Sequence, residues 1–345
     1  MKKSLLALAA LTAFAGAASA QSSVTLFGVV DLNARNVKNG SAGDITSLSQ
    51  DGIASSRLGF RGVEDLGGGL RAGFWLEGAL GPDTGTGSGS LGSGSTSQQW
   101  QRRSTLSLLG GFGEIRLGRD YTPTFWNQSV FDPFGTNGVG AATNNWAQAG
   151  SGATTLVRAS NTAGYFLPAL GGVYGQVQIA AAEGTVGNKY FGGRVGYAAG
   201  PVNVAVAYGV TEKLGTMADD TIDTNVGFSW NFGFMNLMAQ YRMSEQASAE
   251  NTGFLLGATV PFGASTIKIA YSETEFSAGG IAPKAAQIAV GYQYDLSKRT
   301  ALYANFSQVD NDAGLRFTAG SGGPSAAAIN GFKSTGAELG IRHTF

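Results

Sequence analysis

Over much of the chain, apolar and polar residues alternate one by one. In Val202-Asn203-Val204-Ala205-Val206-Ala207-Tyr208-Gly209-Val210 every second residue is large and apolar, and those between are small or polar. The runs from Ile222 to Phe232 and from Ile288 to Asp295 repeat this. Successive side chains of a β-strand point to opposite faces, so each run presents one apolar face and one small or polar face. A soluble sandwich would alternate in the same way, so one strand decides nothing. Number and spacing decide more. With turns read at Gly, Asn, Asp and Pro clusters, strands are predicted at 24–36, 54–65, 70–80, 101–110, 112–120, 156–167, 172–182, 189–199, 202–212, 221–232, 234–244, 252–262, 265–275, 285–296, 299–309 and 333–345. They average roughly ten residues, the length a tilted strand needs to cross a bilayer.

The connections alternate in length. Gly67-Gly68-Gly69, Gly110-Gly111, Gly171-Gly172, Gly200-Pro201, Gly233 and Ser297-Lys298 read as tight turns, whereas 81–100, 121–155, 246–251, 276–284 and 310–332 are longer. An even strand count with short turns on one side and long loops on the other predicts an all-β fold, a 16-stranded antiparallel transmembrane β-barrel. Tyr165, Phe166, Tyr190, Phe191, Trp230, Phe232, Phe234, Phe262, Tyr292, Tyr294 and Phe345 fall near strand ends and are expected in interfacial girdles.

The first 20 residues read differently. Lys2 and Lys3 precede an apolar stretch from Leu5 to Ala18, and Ala18-Ser19-Ala20 has the small-x-small form of a signal-peptidase site. About 14 apolar residues are short for a span of about 20, so residues 1–20 are expected to be a cleaved signal peptide and 21–345 the barrel. No later stretch reaches the ~18 apolar residues of a membrane helix, so a membrane location would have to rest on strands.

Composition fits a lipid-facing wall. Of 345 residues 54 are Gly, one is His, none is Cys and 13% are charged, against about 7% Gly and about a quarter charged in soluble chains. The 23 basic and 23 acidic residues cancel, which gives no general attraction to nucleic acid. Absence of Cys excludes a disulfide framework and a thiolate metal site.

Catalytic motifs are scarce. His343 has no second His to share a metal, and it lies on the face of the last strand with Ala337, Leu339, Ile341 and Phe345, away from the polar face a triad would need. Gly87 to Gly92 match GxGxxG, but inside a Gly/Ser/Thr-rich loop without a strand-turn-helix frame. Asp310-Asn311-Asp312-Ala313-Gly314 clusters oxygen ligands, which turn chemistry explains equally well as calcium. No cofactor is expected and an enzyme has little support. A hydrolase barrel and a plugged adhesin are the rival readings.

The informative residues are charges on the polar face. Parity places Arg35, Arg57, Arg61, Arg71, Arg103, Arg116, Arg158, Arg194, Arg242, Lys268 and Arg342 inward, with Asp31, Asp65, Glu77, Glu114, Asp120, Asp223, Asp295 and Glu338. These are 11 basic against 8 acidic positions, a mildly positive lumen in a neutral chain. A barrel this wide leaves an aqueous channel. The loop 121–155 is long enough to fold inside and constrict it. Asp132 is its only acid, and Arg158 follows it.

Several runs carry a resemblance: Ser23-Val24-Thr25-Leu26-Phe27-Gly28-Val29-Val30-Asp31, the stretch from Ser56 to Leu70, Phe74-Trp75-Leu76-Glu77, Phe112 to Asp120, Leu296 to Tyr303, and Gly340-Ile341-Arg342-His343-Thr344-Phe345. Together they resemble a trimeric general porin of the Gram-negative outer membrane, in its betaproteobacterial branch. The resemblance covers the whole mature chain. It implies a third outer loop, 121–155, bent inward as the constriction, and a ladder of basic wall residues facing acidic ones. Arg57, Arg102, Arg103 and Arg158 carry over to the basic side, with parity favouring Arg103 over Arg102 as the inward member, and Glu77 and Asp132 to the acidic side. Arg61, Arg71, Arg116 and Asp31 would be further lumen charges. The run Asn161-Thr162-Ala163-Gly164-Tyr165 lacks a second basic residue found in relatives. The implied function is passive diffusion of small hydrophilic solutes with a preference for small anions and organic acids. The implied partners are two further copies of the chain, outer-membrane lipids and lipopolysaccharide, and the barrel assembly machinery, which would read the last strand ending in Phe345.

Overall fold

A computed structural model describes residues 23–87, 99–146, 155–184, 189–213, 219–325 and 331–345. The expected signal peptide lies outside the described residues, as do Ser88 to Gly92 of the GxGxxG match. Seventeen antiparallel strands form one sheet that closes on itself. They are β1 (Ser23–Asn39), β2 (Asp44–Gln50), β3 (Arg57–Gly67), β4 (Leu70–Ala79), β5 (Arg103–Gly110), β6 (Gly113–Tyr121), β7 (Arg158–Phe166), β8 (Val173–Ala180) and β9 (Tyr190–Ala199). The wall continues with β10 (Val202–Thr211), β11 (Thr221–Asn231), β12 (Asn236–Gln246), β13 (Ala249–Phe262), β14 (Ser265–Ser277), β15 (Lys284–Asp295), β16 (Thr300–Asn311) and β17 (Lys333–Thr344).

The barrel nonetheless has 16 staves. The same edge of β1 pairs with β3 over Ser23–Val29 and with β2 over Leu32–Lys38, so β2 and β3 are two halves of one stave. The other edge of β1 closes the barrel against β17, from Val29 opposite Thr344 to Asn39 opposite Ser334. Between β2 and β3 the chain breaks at 51–56, with Asp51 in the left-handed region at φ 62°. Asp31 holds the break. Its carboxylate accepts the amides of Gly52 (3.2 Å), Ile53 (2.9 Å) and Ala54 (2.9 Å) and the hydroxyl of Tyr303. Expected as a lumen charge, Asp31 is fully buried and serves as this anchor.

The distribution of polarity is the reverse of a soluble domain. Leu106, Leu117, Val177, Leu256, Ile288 and Leu339 face outward and are exposed, while Ser107, Gln178, Asn225, Ser272, Gln287 and Glu338 face inward and are buried. Closing the sheet pairs every stave on both edges, which is what a strand needs where no water can satisfy its amides. Among the described residues no helix is long and apolar enough to span a membrane.

Two expectations need correction. The connection at 246–251 is a two-residue turn, since β12 ends at Gln246 and β13 starts at Ala249. Tyr190 and Phe166 do not join a girdle. The Tyr190 hydroxyl lies 3.3 Å from the Thr124 hydroxyl inside the barrel, and the Phe166 ring lies under Arg116 at 4.0 Å. Alternation allows only one of Tyr165 and Phe166 to face lipid, and it is Tyr165. The oxygen cluster at 310–314 is occupied by structure: Asp310 pairs with Lys333 (3.1 Å), Asp312 accepts the Lys284 amide (3.0 Å), and Asn311 bonds Phe317 and Phe332.

Candidate functional site: a basic wall facing an inward loop

The segment after β6 enters the barrel. Thr122 caps a short helix, α1 (Pro123–Val130), its hydroxyl accepting the Phe125 amide with Pro at the first turn, where Pro's missing N–H is not needed. The inward row of polar side chains then docks this segment on the far wall. Asn127 donates to Asn225 (2.8 Å) and Gln240 to the Gln128 carbonyl (2.7 Å). Farther round, Gln287 donates to the carbonyls of Val139 and Ala141, Ser307 to Val139, and Asn145 to Ser272 and Ala285. Glu338 accepts the Val139 amide and pairs with Arg35 at 2.9 Å. Small inward residues make the room: a side chain at Gly227 would overlap the Phe131 ring, and one at Gly257 would meet Pro133. The described part of the loop therefore follows the lumen from β8 to β17, leaving the wall of β3 to β6 free.

Between that free wall and the loop lies a cavity of about 330 Å³. Arg57, Trp75, Glu77, Arg102, Arg103 and Asp120 line it from the wall, and Phe125, Trp126, Ser129, Thr136 and Asn137 from the loop. A second cavity of about 450 Å³ shares Trp75 and Arg103 and continues toward the short-turn end past Arg61 and Arg116. The two form the passage left open beside the loop.

The charges on the wall are interleaved. Glu77 accepts Arg102 Nε at 2.6 Å, Arg57 at 3.5 Å and the Trp75 indole at 3.1 Å. Asp120 pairs with Arg116 at 2.6 Å and stands 3.7 Å from Arg103. Arg103 and Arg61 both lie over the Trp75 ring, at 4.5 and 5.1 Å from its centroid. Flat guanidiniums stack on rings and keep a donor fork free, which an ammonium cannot do.

The structure thus brings Arg57, Arg102, Arg103 and Glu77 together. Both arginines of the 102/103 pair reach the cavity: Arg102 precedes β5, so strand parity does not govern it. Arg158 stands one row back, over the Tyr121 ring at 4.2 Å, donating to Tyr121 Oη (2.8 Å) and the Arg102 carbonyl (2.8 Å). Tyr121 Oη also accepts Arg102 at 3.3 Å, which joins the two. Arg71 lies farther down, opposite Asp65 beside the tight turn.

Asp132 does not join the cluster. Its carboxylate accepts the amides of Phe134 (2.8 Å) and Ala142 (3.0 Å), turning the loop on itself. Burial lifts this carboxyl above its ordinary 3.8, opposed by those amides and by the Lys268 ammonium. The loop face toward the arginines carries no charge, and the carboxylates, Glu77 and Asp120, share the basic wall itself. Tyr121, Trp75 and Trp126 are site residues that composition and parity did not single out, and Asp120, which parity places inward, joins them at the cavity. Their signal was the run Trp75-Leu76-Glu77 beside Asp120-Tyr121, two strand ends that the register brings level.

A closed barrel with an apolar exterior, a charged lumen and a loop folded along its inner wall defines an outer-membrane diffusion channel. The model of the Gram-negative porin family matches residues 7–314, and the chain belongs to that family. It is 40% identical to outer membrane porin protein 32 of Delftia acidovorans over all of both chains, and 29% identical to an outer membrane porin of Bordetella pertussis, again over all of both. Its fold matches the solved anion-selective porin from Comamonas acidovorans with a TM-score of 0.81, 35% identity, and 94% and 100% of the two chains covered. OmpT of Vibrio cholerae, solved in a trimer form, matches at 0.68 with 14% identity over 94% and 99% of the chains, a likeness of fold alone. The protein is a channel of the Gram-negative outer membrane.

Proposed function

We propose that this porin favours anions, and that the loop 121–155 is its constriction, with Arg57, Arg102 and Arg103 as the residues a permeant meets there. One observation carries the reading: three guanidiniums and two carboxylates line the wall of the narrow cavity, and the loop opposite contributes no charge. The surplus is positive, and the guanidiniums stay ionised at any biological pH. A small carboxylate or inorganic anion exchanges part of its hydration for these donors, while contacts remain weak enough for release. The anion-selective relative supports this sign. The channel moves solutes without transforming them. The remaining parts of the reading are a homotrimer, removal of residues 1–20 on export, recognition of the terminal strand by the assembly machinery, and organic acids among the permeants. Reversal potentials across a planar bilayer in a salt gradient test it: the expected sign is that of anion preference, and cation preference overturns it.

A further inference from the structure

The helix α1 sits in the lumen with its polarity inverted. Thr124, Asn127 and Gln128 are buried, whereas Phe125 and Trp126 are only half-buried and Val130 is 37% exposed. An amphipathic helix normally turns its apolar stripe to the core. Here the core is a wall of hydrogen-bonding side chains, so docking buries the polar residues and leaves two large rings in the passage, where their apolar surface stays in water. These rings belong to the charge-free loop face that stands opposite Arg57, Arg102 and Arg103 across the cavity of about 330 Å³.

Trp75 and Tyr121 add two more rings to the same cavity. Phe125 stacks on Tyr121 with 5.3 Å between centroids and 22° between planes, and Trp126 stands edge-on to Tyr121 at 6.5 Å. Three of the four rings carry a guanidinium: Arg103 lies over Trp75 at 4.5 Å, Arg158 over Tyr121 at 4.2 Å and Arg194 of β9 over Trp126 at 4.8 Å. Among the described residues no carboxylate pairs with Arg194, and its Nε has no hydrogen-bond partner. The lining is therefore a surface of rings and cations together.

We propose that the favoured permeants of this channel are single-ring aromatic carboxylates. The inference rests on the anion preference proposed above and names the class of anion. A chloride ion gains nothing from the rings, whose faces are the negative part of their quadrupole. An aromatic acid uses both halves of the lining. Its carboxylate takes the guanidinium forks of the wall, and its ring meets the half-buried rings of α1 edge-to-face or offset, with a guanidinium in reach of its own face. Apolar surface is then removed from water on both partners. A volume of about 330 Å³ lies at the small end for ligand sites, which suits one ring with part of its hydration.

Block of the chloride current through single channels in a planar bilayer tests it at about pH 7, where carboxylic acids are ionised. The probes are benzoate, cyclohexanecarboxylate and acetate. The saturated ring has the same charge and nearly the same size as benzoate but no quadrupole. Half-block should need about fivefold less benzoate than cyclohexanecarboxylate, the worth of one ring-to-ring contact, and acetate should block least. In each variant the two ring acids are compared with each other, whatever the variant does to conductance. The preference for benzoate should vanish in Phe125→Leu with Trp126→Leu and persist in Trp126→Phe, which keeps a ring. Equal half-blocking concentrations of the two ring acids in wild type overturn the proposal, and that comparison depends on no variant's folding. Such a result leaves the anion preference standing, because reversal potentials in a sodium chloride gradient read that preference by themselves. A benzoate preference that survives in the double leucine variant overturns the proposal too, since its source would lie outside α1.

Discussion

The Phe131 ring occupies the space that a side chain at Gly227 would need. The inward loop is therefore seated on the barrel wall by an absence, a missing Cβ on β11, as well as by the amide bonds on either side of it. Gly227→Leu should unseat the ring, since overpacking at a filled site costs about 1–3 kcal/mol. The expected result is a larger single-channel conductance together with new protease cleavage between Thr122 and Trp146. A variant that keeps wild-type conductance would show that the loop can yield there without opening.

Arg57→Ala with Arg158→Ala should reduce the anion-to-cation permeability ratio by about 2–5-fold, equivalent to about 0.4–1 kcal/mol of field at the cavity. Most of that change should come from Arg57, which lines the passage, because Arg158 stands behind Tyr121. Reversal potentials of the single and double variants measure it. Unchanged ratios in the double variant would place the narrowest point elsewhere.

Glu77→Gln works in the opposite direction. It removes one of the two carboxylates on the wall and releases Arg57 and Arg102 from a shared acceptor. Anion preference should rise, by about 2–5-fold on the same scale. The barrel should also become less heat-resistant, because guanidiniums that lose a buried acceptor keep their desolvation cost. Reversal potential and the temperature of heat-modified gel mobility report the two effects separately.

Asp132 gives the loop a dependence on pH. Its carboxyl is raised above 3.8 by burial, so the folded loop holds this proton more tightly than the unfolded chain does. The contribution to stability is full below about pH 3.8 and is lost as pH rises through the elevated value. Wild-type loop protection against protease, compared with that of Asp132→Asn, should therefore improve as pH falls from about 7 to about 4. A difference between the two that stays constant over this window would refute the assignment.

The staves were legible because a strand that faces lipid on one side and water on the other must alternate, and glycine marks its turns. β2 escaped: Asp44-Ile45-Thr46-Ser47-Leu48-Ser49-Gln50 continues a stave beyond a break held in shape by contacts between residues far apart in the chain, Asp31 and Tyr303 standing 272 positions apart. The arginines were legible by type and parity, but their partners were less so. A carboxylate such as Asp132 can reach across a lumen or cap the amides of its own loop, and residue type does not distinguish the two. Arg102 shows the limit of parity, which holds inside a strand and lapses one residue before it.

The seam between β1 and β17 sets the order in which the barrel can form. Every other neighbour in the wall is a hairpin or a nearby stave, so those pairings can accumulate as local events. The seam joins the first and last strands, with Gly28 and Phe345 exchanging backbone bonds of 3.0 and 3.1 Å. It is the contact of highest sequence separation, and its closure entropy is met only when all the other staves are already aligned. Until then both end strands present open edges, the state most exposed to wrong pairing, and the terminal residue is the last latch to fasten.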